Sequence, residues 1–149
     1  MKTGDKAPQF VLPDANGENW SLADHSGKTV VLLFYPGDNT PVCTAQLCSV
    51  RDNWADYVET GAEVVGISTD SVDSHRSFSS KYDLTLRLLA DEDAAVAKLY
   101  DATSWLPGRS ARAVVVIDKD GIVRYHKVQS LSVFRPKDDE VLEAIRAAA

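Results

Sequence analysis

Two residues in this chain of 149 have the chemistry of a soft nucleophile, Cys43 and Cys48, and they are its only cysteines. They close the stretch Phe34-Tyr35-Pro36-Gly37-Asp38-Asn39-Thr40-Pro41-Val42-Cys43-Thr44-Ala45-Gln46-Leu47-Cys48. An apolar run enters a Gly/Pro/Asn turn, and Thr40-Pro41 marks a helix start just ahead of Cys43. The unpaired amides and positive dipole end of a helix favour a thiolate there, the form of cysteine that attacks peroxides and disulfides. Cys43 also stands one turn before Leu47 on the apolar stripe, so its sulfur should face a pocket. A free cysteine is as often a small buried hydrophobe, and position alone leaves that alternative open.

Cys48 follows five residues later. In a regular helix that separation is about 140° around the axis and roughly 8.6 Å between Cα atoms. A disulfide needs about 7 Å or less. The two thiols can therefore bond only if the first one or two turns unwind, which would make the redox step a conformational switch. The alternative leaves Cys48 passive on the polar side, with Arg51, Asp52 and Ala55.

The elements that must position these thiols follow from hydrophobic periodicity and turn chemistry. Gln9 to Leu12 and Glu18 to Leu22, around Asn16-Gly17, predict a hairpin. Thr29 to Tyr35 lacks alternation, so both of its faces should be covered, as in the centre of a parallel sheet. Leu47, Val50, Trp54, Tyr57 and Val58 form one helical stripe closed by Gly61. Glu63 to Ile67 is the next strand, and Asp70 or Ser71 caps a helix carrying Val72, Phe78 and Tyr82. Leu86 to Leu89 is extended and Asp93 to Tyr100 a short helix. Asp101 to Ser110, with Trp105, Pro107 and Gly108, is a loop. Arg112 to Ile117 and Gly121 to Val128 flank the hairpin turn Asp118-Lys119-Asp120-Gly121, and Pro136 opens a last helix with Val141, Leu142 and Ile145 inward. The order β-α-β-α, then hairpin and helix, predicts one α/β domain over 1–149. Its architecture is a thioredoxin-like mixed sheet flanked by helices, with an N-terminal β-hairpin extension. The reactive turn falls at a strand's C-terminal end, where such sheets place their sites.

Bulk properties exclude several classes. Sixteen basic against 22 acidic residues give a net charge of −6, and no basic cluster is present for nucleic acid or anionic membrane. The longest apolar run, Val30 to Tyr35, is far short of the roughly 20 residues of a membrane helix. The N-terminal residues have no secretory pattern, and the expected location is cytoplasmic. His25, His75 and His126 lack metal-ligand spacing, so no metal or other cofactor is implied. His75 is read as a packing residue and His126 as a surface one. Asp91-Glu92-Asp93 reads as a helix cap and not as a calcium loop.

With these residues in view the chain resembles the peroxiredoxins. Pro36-x-x-x-Thr40-x-x-Cys43 is similar to the family's active-site pattern. The fuller string through Tyr35, Asp38, Pro41, Thr44, Gln46, Cys48, Arg51 and Asp52 resembles the Q-type branch, also called bacterioferritin comigratory proteins. Gly4-Asp5-Lys6-Ala7-Pro8, Val65-Gly66-Ile67-Ser68, Asp70-Ser71, His75, Phe78 and Leu88-Leu89-Ala90-Asp91 extend the likeness over nearly the whole chain. The resemblance implies a peroxidatic Cys43 oxidised to a sulfenic acid and a resolving Cys48. Thr40 and the Cys43 amide would orient the peroxide, and Pro36 would shield the sulfur. The family's arginine, at the head of an Arg-x-Thr-Phe-x-Ile-Asp strand, matches Arg112, with Arg109 as a near rival. Val42 stands where many relatives have glycine, and Ala113-Val114 replaces the polar pair usual after the arginine.

The function implied is reduction of hydrogen peroxide and organic hydroperoxides through a Cys43–Cys48 disulfide, recycled by a thioredoxin-type dithiol. The expected partners are that reductant and the peroxide alone, and the expected state is a monomer, with a weak dimer as the alternative. Two other readings share the fold: a thiol–disulfide oxidoreductase, disfavoured by the lack of Cys-x-x-Cys, and a redox-switched binding protein.

Overall fold

The computed structural model describes residues 1–104, 108–129 and 137–149. At its centre lies β3 (Val30–Phe34), all five residues buried. It pairs in parallel with β4 (Glu63–Ser68) and antiparallel with β6 (Ala113–Ile117). The edges are β5 (Arg87–Ala90) and β7 (Val123–Val128), giving the order β5-β4-β3-β6-β7. The predicted N-terminal hairpin is present as β1 (Val11–Pro13) and β2 (Asn19–Ser21), with Gly17 at φ +79° in the turn.

The sheet's period of two divides the core into two layers. Val30, Leu32, Phe34, Val65, Ile67, Val115 and Ile117 meet Phe10, Trp20, Val96 and Tyr100 from the hairpin side and α4 (Ala95–Leu99). Val31, Leu33, Tyr35, Val64, Val114 and Val116 meet Cys43, Leu47, Val50, Tyr57 and Phe78, together with Val141, Leu142 and Ile145 of α5 (Asp138–Ala148). Both faces of β3 are thus covered, which is why its sequence does not alternate. Cys43 belongs to the second layer, packed inward from α1 (Pro41–Asp52).

Gly66 shows how tightly that layer is filled. A Cβ placed there would stand 2.9 Å from Leu88 Cδ2 and 3.3 Å from Tyr35 Cε1, and both neighbours are buried. Gly66→Ala should lower the urea midpoint by an amount worth about 1–3 kcal/mol, the usual cost of overpacking. A midpoint equal to wild type would mean the layer has slack.

Several expectations need correction. The stripe from Leu47 to Val58 is not one helix, because it breaks at Asn53 into α1 and α2 (Trp54–Glu59). The Asn53 side chain donates to Ser49 O (2.9 Å) and to Asp138 of α5 (3.2 Å), so a tertiary partner ends α1. Val58 is accordingly exposed. Of the two caps the sequence offers for α3 (Val72–Lys81), Ser71 is the one used, accepting from Ser74 N at 3.1 Å. The helix expected from Asp93 shortens to α4, whose first amides bond to Asp91 and Asp93. His126 is half-buried, its Nε2 lying 2.7 Å from Tyr100 O. Trp105, Pro107 and Pro136 lie outside the described residues.

Candidate active site

The site forms where β3 ends. Tyr35 N–H still bonds to Ile67 O (3.0 Å), and the chain then turns through 36–40 into α1. Asn39 takes a left-handed φ of +63°, tolerable for asparagine. Thr40 is the N-cap residue with extended dihedrals and Pro41 opens the helix, as the sequence predicts. The first helical bond runs from Thr44 N–H to Thr40 C=O (2.8 Å). The Cys43 amide precedes it and belongs to the unpaired N-terminal set.

Cys43 is fully buried and is a free thiol. Arg112 faces it, itself only 1% exposed. The antiparallel register sets Phe34 opposite Ala113, so Arg112, one residue earlier, stands beside the loop that leaves β3. Its Nη2 donates to Cys43 Sγ at 3.1 Å and its Nη1 to Gln46 Oε1. A guanidinium fork thus spans two residues one helical turn apart. A charge-assisted donor of this kind is strongest toward an anionic sulfur. Arg109 does not compete for that place: it is exposed and its Nη1 donates to Pro36 O at 3.2 Å.

Thr40 does not cap the helix through its side chain. Its hydroxyl donates to Gly37 O (3.2 Å), so the oxygen keeps its capacity to accept. Pro36 is half-buried, beside the buried Gly37. Among the five predicted site residues, the structure places Cys43 in contact with Arg112 and places Thr40 and Pro36 on the adjoining loop. Cys48 sits apart on the unbroken α1, half-buried and free.

Two polar clusters went unread in the sequence. Beneath the loop, the Asp38 carboxylate accepts from Tyr35 Oη (2.7 Å) and Ser74 Oγ (2.8 Å) and meets His75 Nδ1 at 2.8 Å. The Asp38 amide donates to Asp70 Oδ2 (2.8 Å), which also accepts from Ser68 Oγ (2.7 Å). Burial alone would raise the Asp38 carboxyl. The hydrogen bond and charge of His75, with Tyr35 and Ser74, outweigh it and hold the group below the ordinary carboxylate range. A carboxyl held low in the folded state contributes stability above its unfolded value and loses it as pH falls through the folded one. Burial first, and then Asp38, push the Tyr35 hydroxyl up, so it remains a donor.

The second cluster fastens the far end of α1. Ser49 Oγ, Asn53 Nδ2 and Tyr57 Oη all converge on Asp138, in the first turn of α5. Arg51 Nη1 also donates to Tyr82 O at 2.6 Å. Gln46 had a legible signal, lying three residues after Cys43 on the same helix face. Asp138 had none, since its partners are far away in the chain.

Comparison with known proteins agrees with this fold. The AhpC/TSA family model matches residues 3–126. A protein named peroxiredoxin Q, chloroplastic, from Triticum aestivum is 45% identical over 129 residues, covering 84% of this chain and 58% of that protein. Its namesake from Gentiana triflora is 40% identical over 156 residues, covering 99% of this chain and 68% of the other. The chain thus spans little more than half the length of the wheat relative. Among solved structures, peroxidoxin BcpB from Mycobacterium tuberculosis superposes with a TM-score of 0.88 at 34% identity, covering 100% of this chain and 99% of that one. The family model spans most of the chain and both peroxiredoxin Q relatives are well above a third identical, so the chain belongs to the AhpC/TSA family, among the Q/Bcp-type peroxiredoxins.

Proposed function

We propose that the protein is a thiol-dependent peroxidase acting on hydrogen peroxide and small organic hydroperoxides, with Cys43 as the peroxidatic residue. The observation that carries this reading is the Arg112 Nη2 to Cys43 Sγ contact of 3.1 Å at the start of α1. The Cys43 thiolate attacks one peroxide oxygen and the O–O bond breaks. The far oxygen leaves with its electron pair, takes up a proton and departs as water or alcohol, and Cys43 becomes a sulfenic acid. Charge grows on that far oxygen, where the Cys43 amide and the Arg112 guanidinium supply fixed donors. The Thr40 oxygen accepts a hydrogen bond from the peroxide, and Pro36 keeps bulk water off the sulfur. Cys48 sulfur then attacks the sulfenic sulfur and expels water, forming the Cys43–Cys48 disulfide. A thioredoxin-type dithiol returns both thiols.

Complete burial of Cys43 favours this chemistry over thiol–disulfide exchange with a protein substrate, whose sulfur needs an accessible partner.

The test is rapid mixing of reduced protein with limiting hydrogen peroxide, followed by mass analysis. Wild type should lose two hydrogens. Cys48→Ser should react at a similar initial rate and stop with one or two oxygens added at Cys43. Formation of a disulfide between two chains in wild type, with none inside one chain, would refute the role given to Cys48.

A further inference from the structure

The loop that carries Thr40 lacks a ladder of its own. Between Tyr35 N–H and Thr40 C=O, its hydrogen bonds among the described residues all run to side chains. Asp38 N donates to Asp70, Pro36 O accepts from Arg109, and Gly37 O accepts from Thr40 Oγ1. Its deepest attachment is the Asp38 side chain, which drops between α3 and the end of β3. There the Asp38 and His75 side chains are 1% and 0% exposed.

The hydrogen bonds of the ring define this attachment. Nδ1 faces the Asp38 carboxylate at 2.8 Å and Nε2 faces Leu89 C=O of β5 at 3.0 Å. Neither acceptor has a proton to offer, because Asp38 is held ionised and already accepts from Tyr35 and Ser74. Each ring nitrogen thus faces an acceptor, and the two contacts tie His75 to Asp38 on one side and to β5 on the other. Asp70, bonded to the Asp38 amide, is the other carboxylate at this attachment, and Arg109 the cation on the loop's outer side.

A buried carboxylate beside a histidine is a weak source of stability, since desolvation offsets much of the attraction. What it does supply is position. One carboxylate held by three neighbours cannot shift without leaving a partner unpaired. Asp38 lies two residues before Thr40 and five before Cys43. Only Asn39, in the left-handed region, separates Asp38 from Thr40.

We propose that Asp38 and His75 are positioning residues for the peroxide step. Their buried hydrogen-bonded contact locks loop 36–40 onto α3 and β5, and so sets where Thr40 and the start of α1 stand relative to the Cys43 sulfur. This deepens the peroxidase reading and rests on it. The attachment uses no residue of α1, so the loop keeps its place when α1 unwinds and receives Cys43 back in register.

The experiment compares two rates on reduced protein at one pH: oxidation by hydrogen peroxide, which needs an oriented substrate, and alkylation by iodoacetamide, which reports the thiol itself. Asp38→Ala should slow the first by about tenfold or more, a modest penalty for a misplaced reacting geometry, and leave the second within about threefold. Asp38→Asn keeps the shape and can donate to a neutral ring, so it should recover most of the loss. The double variant Asp38→Ala/His75→Ala should be no slower than either single change, as expected for two residues acting as one unit. If Asp38→Ala does not fold, His75→Gln against Asp38→Asn decides by the same ratio. A purely structural pair would lower the melting temperature without changing the ratio of the two rates per folded molecule. That result, or an equal fall in both rates, overturns the proposal. A wild type no faster with peroxide than a free cysteine would instead overturn the peroxidase reading.

Discussion

Cys43→Ser should leave a folded protein that does not consume peroxide. The serine hydroxyl is smaller than the thiol and still accepts a hydrogen bond, so the Arg112 fork keeps a partner and the inner layer loses little contact. Its oxygen stays protonated near neutral pH and is a poor nucleophile toward the O–O bond. Nothing among the described residues supplies a second buried nucleophile beside Arg112. Cys48 stands elsewhere on the helix, half-buried, while the Arg112 fork is taken up by Cys43 and Gln46. Peroxide loss followed by stopped flow, with reductant in excess, should fall to the level of the buffer. Circular dichroism should match wild type. A folded Cys43→Ser that consumed peroxide like wild type would remove the basis of the functional reading.

Arg112→Met should cost about 10²–10³-fold in the rate of Cys43 oxidation, the scale seen when one donor to a developing anion is removed. Methionine is the better probe than alanine because it refills the space of a side chain that is only 1% exposed and avoids opening a cavity. The rest of the change is electrostatic. The sulfur loses its 3.1 Å donor and Gln46 Oε1 loses its bond to Nη1. Leaving that buried amide oxygen unsatisfied should lower stability by about 1–3 kcal/mol. Arg112→Lys would keep the charge, but an ammonium cannot reproduce the fork to Cys43 and Gln46, so it should recover only part of the rate. Stopped-flow oxidation and urea unfolding on the same samples separate the two losses. If Arg112→Met oxidises within about threefold of wild type, the guanidinium serves the fold and not the reaction.

Local signals carried far in this chain, and long-range partners did not. The unalternating Val30 to Phe34 run declared a strand covered on both faces, and Thr40-Pro41 declared the helix start at Cys43. Both depend on neighbours within a few residues. Arg112 was reached only through family resemblance, because its 69-residue separation from Cys43 is bridged by an antiparallel register that no periodicity reports. The Asn53 break was illegible for the same reason, since the carboxylate that stabilises it comes from α5. His75 was read as a packing residue and is buried, but that reading did not reach its polar partners. Its partner Asp38 lies 37 residues earlier, and a histidine on an apolar helix face gives no sign of which charge it will meet.

The placement of both cysteines on one intact helix has a thermodynamic reading as well. In the proposed cycle the disulfide can exist only with the first turns of α1 unwound and Arg112 parted from Cys43 and Gln46. The free energy of rebuilding those turns therefore favours the dithiol over the disulfide. It raises the reduction potential, by about 30 mV for every 1.4 kcal/mol. The better α1 is anchored, the stronger an oxidant the disulfide becomes and the more readily a dithiol reduces it. Helix stability thus acts as redox poise: it draws electrons in from the reductant and returns the protein to the state that meets the next peroxide.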